Sequence, residues 1–157
     1  MSLVELLTAV AIVGVLAGTS INASRTPLAH QQLLAATRHL ELGIEQARDQ
    51  AMDQQAPCAL ALGTSGWMEP DRAALPSCDQ AVGPLLAGDR AASLQLDHNI
   101  NGLQFTSNGL VLGGGTVRLA IDALVQERCV VISLPLGITR RGLWNNGQCL
   151  PAENVNS

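Results

Sequence analysis

The chain has 157 residues and a net charge of −4, so its overall charge does not indicate a nucleic-acid-binding protein. Hydrophobic residues make up 47% of the chain but aromatic residues only 2%, so the core has to be built from Leu, Val, Ile and Ala. Once an apolar N-terminal segment is set aside, this length leaves room for one modest globular domain.

The N-terminal segment is apolar and carries a single charge, Glu5. Residues 6–24 are uncharged, and about 20 such residues are needed for a helix to cross a bilayer. We therefore predict a hydrophobic transmembrane or filament-core helix over residues 1–27. A carboxylate inside a bilayer costs about 2.5–3.5 kcal/mol, so Glu5 needs a partner. A secretory signal peptide would need a basic flank, which the segment lacks, and a plain membrane anchor leaves Glu5 unexplained.

The opening residues MSLVELL, followed by the apolar run, resemble the mature N-terminus of a type IV pilin or pseudopilin. The resemblance implies that Met1 is the first mature residue and the site of processing and N-methylation. It also implies that Glu5 pairs with the Met1 amine of a neighbouring subunit and so sets the register of a filament. Met1 replaces the Phe that is usual there. A translational start at Met1 is the alternative, and it would make the register of Glu5 accidental.

The second half of the same helix, residues 28–54, is predicted to be amphipathic. Its apolar residues recur at spacings of three and four, which is typical of a helix that packs on a sheet. They are Leu33, Ala36, Leu40, Ile44, Ala47 and Ala51. We expect the charged residues between them to form a solvated face. These are Arg38, His39, Glu41, Glu45, Arg48 and Asp49.

Residues 14–27 form the weakest part of the predicted helix. Gly14 and Gly18 add backbone freedom, and Pro27 lacks an amide proton and clashes with the preceding turn. The pilin resemblance implies that part of this span loses its helix in the filament.

Residues 55–157 are predicted to form an antiparallel β-domain, because short apolar runs alternate with turn signals. The expected strands are residues 58–62, 67–68, 93–96, 102–106, 110–112, 116–121, 128–134 and 143–144. We expect loop over residues 69–90 and turns over residues 135–142 and 145–147. The fold class is therefore α+β, with a long helix packed on the β-domain.

Four cysteines lie in this domain, namely Cys58, Cys78, Cys129 and Cys149. An even number in an exported domain indicates two disulfides, and the spacing does not match a zinc site. Three pairings are possible. We favour the sequential one, 58–78 with 129–149, because each pair brackets a plausible hairpin.

The order of elements extends the resemblance to the GspH/FimT-like branch of pilins. The segments that carry it are LQFTSNG at residues 103–109 and CVVIS at residues 129–133. In FimT-like minor pilins a Gly-Arg-x-Arg motif near this point binds DNA. Here the match is partial, with Ile138 in place of the first Arg, and the candidate DNA-binding residues are Arg140 and Arg141. Such binding would be weak and independent of sequence.

The sequence predicts neither an enzyme nor a cofactor or metal site. The Gly113-Gly-Gly115 run lacks the Lys-Ser/Thr of a phosphate loop, and no Gly-x-Ser-x-Gly motif occurs. His30, His39 and His98 lack the spacing of metal ligands.

The function that we predict is that of a structural subunit of a type IV pilus. The partners are further copies of the chain and other pilins. The location is the bacterial inner membrane before assembly and the cell surface afterwards. Two alternatives stay open here, a FimT-like minor pilin that binds DNA for uptake and a type II secretion pseudopilin H.

Overall fold

A computed structural model describes residues 3–8, 10–12, 25–70, 75–78, 82–86 and 93–151. Within these residues the chain forms a helix, α1 (Arg25–Asp53), followed by nine strands. The strands are β1 (Cys58–Gly63), β2 (Gly66–Met68), β3 (Leu94–His98), β4 (Leu103–Phe105), β5 (Val111–Leu112), β6 (Gly115–Ile121), β7 (Arg128–Ser133), β8 (Ile138–Asn145) and β9 (Gln148–Leu150).

The N-terminal segment is helical at residues 3–8 and 10–12. Most of the predicted 1–27 segment, including Met1, Gly14 and Gly18, lies outside the described residues. No helix in the described part of the chain has both the length and the apolar character of a membrane span.

Helix α1 buries the predicted apolar stripe. Ala29 and all six residues of that stripe are at most 5% exposed, so the amphipathic pattern is confirmed. Pro27 lies in the first turn, where a missing amide proton costs no helical hydrogen bond. The helix ends where Gln55 adopts a left-handed conformation, with φ of 51°. The amide of Ala56 then donates to the Ala51 carbonyl, which closes a Schellman motif.

The strands form two antiparallel sheets, with the orders β2-β1-β4-β5 and β3-β6-β7-β8-β9. One face of the five-stranded sheet carries buried side chains of β3, β6 and β7, and helix α1 contacts β6 and β7 there. Helix α1 also contacts β1 and β4 of the other sheet. The predicted α+β class, a helix packed on antiparallel strands, is confirmed.

The turn predicted over residues 135–142 was wrong in its extent. It covers only residues 134–137, where Gly137 has a φ of 66°, and β8 begins at Ile138. The physical reason is that Ile138 and Thr139 are β-branched and pair with β7. The short strand β9 was also missed, although the turn before it, at Asn146 and Gly147, was predicted.

The structure joins Cys58 to Cys78 and Cys129 to Cys149, which is the sequential arrangement. The first disulfide holds residues 76–78 against β1, where Ala59 and Ser77 form a parallel bridge. The second links β7 to β9 across the intervening strand β8. Gly142 leaves the necessary space, since a Cβ there would lie 3.0 Å from Cys149 Sγ.

Candidate functional site

The helical residues at the N-terminus present an apolar surface that the β-domain does not cover. Six large apolar side chains are between 58% and 75% exposed, namely Leu3, Val4, Leu6, Leu7, Val10 and Ile12. A surface with so many exposed apolar side chains marks a site of contact with lipid or with another chain.

Glu5 lies on this exposed helical surface. Its backbone carbonyl accepts a hydrogen bond from Thr8 Oγ1 at 2.9 Å, and no basic side chain of the described residues forms an ion pair with its carboxylate. Met1 lies outside the described residues, so the pairing of Glu5 with the Met1 amine of another subunit stays a prediction.

Arg141 lies on β8 and faces helix α1. Its register partner is Val130, whose side chain is in the core. The Nε of Arg141 donates to both carboxylate oxygens of Glu41, at 2.7 and 2.6 Å, and its Nη2 also contacts Glu41. The hydrogen bond to Glu41 is the main cause that raises the pKa of Arg141.

Glu41 is only 7% exposed, so the expectation that it lies on the solvated face of α1 was wrong. Arg48, expected on the same face, is half-buried and donates from Nη1 to the Leu136 carbonyl at 3.2 Å. Glu41 therefore pairs with a sheet residue, whereas Arg48 reaches the loop between β7 and β8. Helical spacing alone does not contain this information.

Arg140 is exposed and lies on the opposite face of the sheet from Arg141, because neighbouring residues of a strand point to opposite sides. Both arginines lie in β8 and not in the turn predicted over residues 135–142, so they do not form one basic surface. Arg128 shares the helix-facing side with Arg141, where burial and, secondarily, the charge of Arg141 lower the pKa of Arg128.

A second ionic cluster, which the sequence reasoning missed, lies on the outer face of the five-stranded sheet. Arg118 Nε and Nη2 donate to Glu127 at 2.6 and 2.5 Å, and Nη1 lies 3.8 Å from Asp97. The Arg118 guanidinium also lies 5.9 Å from the ring centroid of Trp144. Arg118, Asp97 and Trp144 line a cavity of about 150 Å³ together with His98, Asn99 and Thr116. Only the strand register, which pairs β6 with β3 and β7, brings the charges together.

Within the described residues, no group of three or more His, Cys, Asp or Glu could hold a metal ion. The candidate site has two features. One is the exposed apolar helical surface at the N-terminus, and the other is the set of ion pairs that join α1 to β8 and the strands to one another.

One comparison with known proteins decides the family. The family model described as type II transport protein GspH matches residues 36–136, which is well over half of the chain. The chain belongs to the GspH family. No curated protein and no solved structure gave a significant match.

The GspH match begins within α1 and extends into the loop that follows β7, so it covers the helix-on-sheet packing described above. Membership identifies the chain as a pilin-like subunit of the class that serves type II secretion and type IV pili. Proteins of this GspH class are structural subunits. The resemblance that the N-terminal motif and the order of elements indicated is thereby confirmed.

The Glu41–Arg141 pair gives this GspH-family domain a testable link between helix and sheet. We expect Arg141→Gln to lower the free energy of unfolding by about 1–2 kcal/mol, because the Glu41 carboxylate would stay buried without its partner. The loss is smaller than for a fully buried pair because half of the Arg141 side chain is exposed. Arg140→Gln is the matched control and should change stability by less than about 0.5 kcal/mol. Equal denaturation midpoints for the two variants would contradict this role.

The Arg118–Glu127 pair predicts a pH dependence. The hydrogen bond from Arg118 lowers the pKa of Glu127 below its usual range. The unfolded state therefore binds a proton before the folded state does as the pH falls. The stabilisation is fully present above the ordinary Glu pKa of about 4.3 and is lost as the pH drops through the lower, folded value.

We expect the free energy of unfolding of Glu127→Gln to fall less than that of wild type as the pH decreases. The difference should be below about 1 kcal/mol because the pair is partly solvated. Chemical denaturation between pH 7 and pH 3 measures it. Parallel curves for wild type and Glu127→Gln would show that the pair does not contribute.

Proposed function

We propose that the chain is a structural subunit of a type IV pilus, which assembles through its apolar N-terminal helix. The observation that carries the proposal is the exposed apolar surface of residues 3–8 and 10–12. Burying a Leu, Val or Ile side chain contributes about 1.5–3 kcal/mol, so six exposed ones make an isolated chain in water unfavourable. Lipid covers this surface before assembly, and the helices of neighbouring subunits cover it afterwards.

Glu5 gives the assembly its register. In the packed core of a filament the Glu5 carboxylate needs a positively charged partner. We assign this role to the N-terminal amine of Met1 from the adjacent subunit. A buried ion pair of this kind is best attested as a device that selects one register over others. The location follows, with the inner membrane as the reservoir of subunits and the outside of the cell as the site of the filament.

A type II secretion pseudopilin is the second candidate, and the family description favours it. The two roles use the same subunit architecture and differ in the machine that assembles it. A pilus subunit occurs in surface filaments that shearing releases, whereas a pseudopilin stays in the cell envelope.

The experiment that separates the two roles is mass spectrometry of sheared surface filaments beside the membrane fraction. We expect peptides of this chain in the sheared filaments. Their presence in the membrane fraction alone, in cells that do carry filaments, would favour the pseudopilin.

DNA binding through Arg140 and Arg141 stays a prediction. Arg141 is engaged with Glu41, and Arg140 alone of the two faces away from the helix. The structure offers no further argument for a nucleic-acid ligand, so this role is not part of the proposed function.

A further inference from the structure

One end of the β-domain presents an apolar surface that no part of the described chain covers. It consists of the loop between β7 and β8, with the adjoining start of β8 and the edge strand β5. Leu112, Leu134, Leu136 and Ile138 are each about half exposed, between 47% and 56%. Four half-exposed apolar side chains on one loop and the strands beside it are unusual unless they meet a partner. We call these four residues the apolar end.

The apolar end is held in a fixed shape by contacts from both sheets and the helix. The amide of Val111 donates to the Pro135 carbonyl at 2.8 Å, and Arg48 Nη1 donates to the Leu136 carbonyl. Gly137 packs directly on the side chain of Val111. The surface is therefore pre-organised, which lowers the entropy cost of binding.

The position of the apolar end argues against a membrane as its partner. Arg48, which contacts it, lies 23 residues after Arg25, and a helix rises 1.5 Å per residue, so the two positions are about 35 Å apart. The predicted membrane segment, residues 1–27, ends at the start of α1. The apolar end is thus at the far end of the domain from the lipid.

The opposite end of the same strands carries a complementary surface. Strands β6 and β7 are joined there by residues 122–127, where Val125 is fully exposed and Asp122 is an exposed acid. At the apolar end, Ile138 and Arg140 lie on the same side of β8, so an exposed cation borders the apolar side chains. The apolar end could therefore pack on Val125, and the Arg140 guanidinium could lie beside the Asp122 carboxylate. The two surfaces are complementary in polarity and in charge.

We propose that the apolar end of one subunit docks on residues 122–127 of a second copy of this chain. The two surfaces differ and lie at opposite ends, so each copy can bind one neighbour above and one below. A head-to-tail contact of this type does not close on itself and builds an open filament. The inference rests on the proposed filament function and adds the head-domain contact to it.

Site-specific photo-cross-linking in cells tests this contact. The full chain carries p-benzoylphenylalanine in place of Leu136, and cross-linked products are identified by mass spectrometry. We expect a dimer in which residue 136 is joined to a peptide that contains residues 122–127. The matched control places the probe at Met68, which is also exposed and apolar but lies on β2. That probe should give no such product.

A variant gives the second readout. Leu136→Asp should reduce a dimer formed through a probe at Val125 roughly tenfold, as expected when one anchor residue of an interface is lost. Met68→Asp should leave it unchanged. Cross-links from residue 136 only to lipid or to another protein, or none, in filaments that contain the chain would overturn the docking proposal but keep the filament function. If the chain is missing from filaments altogether, the proposed function fails instead.

Discussion

Glu5→Ala is expected to leave the protein in the membrane fraction but to reduce its amount in filaments by about a hundredfold or more. The physical reason is that the Met1 amine of the neighbouring subunit would be buried without a counter-charge. Removing one partner of a buried ion pair costs about 3–5 kcal/mol, and each 1.4 kcal/mol is a factor of ten. Membrane insertion depends on the apolar run and should be unaffected.

The measurement is an immunoblot of the membrane and sheared-filament fractions from the same cells. Asp53→Ala is the matched control, since it also removes one exposed carboxylate but at the far end of α1. It should assemble like wild type. Filaments from Glu5→Ala cells in normal yield would show that Glu5 does not set the register.

Removing either disulfide is expected to lower the free energy of unfolding by about 3 kcal/mol, the value for a closed loop of this size. Both bridges join residues 20 positions apart, so their entropic contributions should match. They differ in surroundings, because Cys58 and Cys78 are both in the core whereas Cys149 is half-exposed.

The double variant Cys58→Ala with Cys78→Ala should therefore be the less stable of the two, because it also removes buried atoms. Thermal denaturation of both double variants beside wild type measures the difference. A 58/78 variant as stable as wild type would contradict a structural role for that bridge.

Much of the fold could be predicted because it depends on local periodicity. The stripe from Leu33 to Ala51 at spacings of three and four gave the buried face of α1 correctly. The alternation at residues 116–121 gave β6 almost to its ends. The turn at Asn146 and Gly147 could also be predicted from local sequence. Both residues have positive φ, and Asn and Gly adopt that conformation more readily than other residues.

The ion pairs could not be predicted in the same way. Glu41 and Arg141 are 100 residues apart, and nothing in their local sequence indicates that they meet. Helical spacing assigned Glu41 to the solvated face, where an unpaired carboxylate belongs. Its burial depends on one cation of β8, and that cation reaches it only because β8 begins at Ile138 and not after Gly142.

The apolar N-terminal segment was predicted from composition and motif, and the same information suggested the family. The proposed pairing of Glu5 with Met1 is a contact between subunits. A single chain does not contain it, whatever its sequence.

The most direct test of the filament function is a reconstruction of purified surface filaments by electron cryomicroscopy. We predict that the N-terminal helices of this chain pack against one another in the centre, with each Glu5 carboxylate beside the Met1 amine of an adjacent subunit. A filament core formed only by other pilins, with this chain absent from the density and from the purified material, would contradict the account.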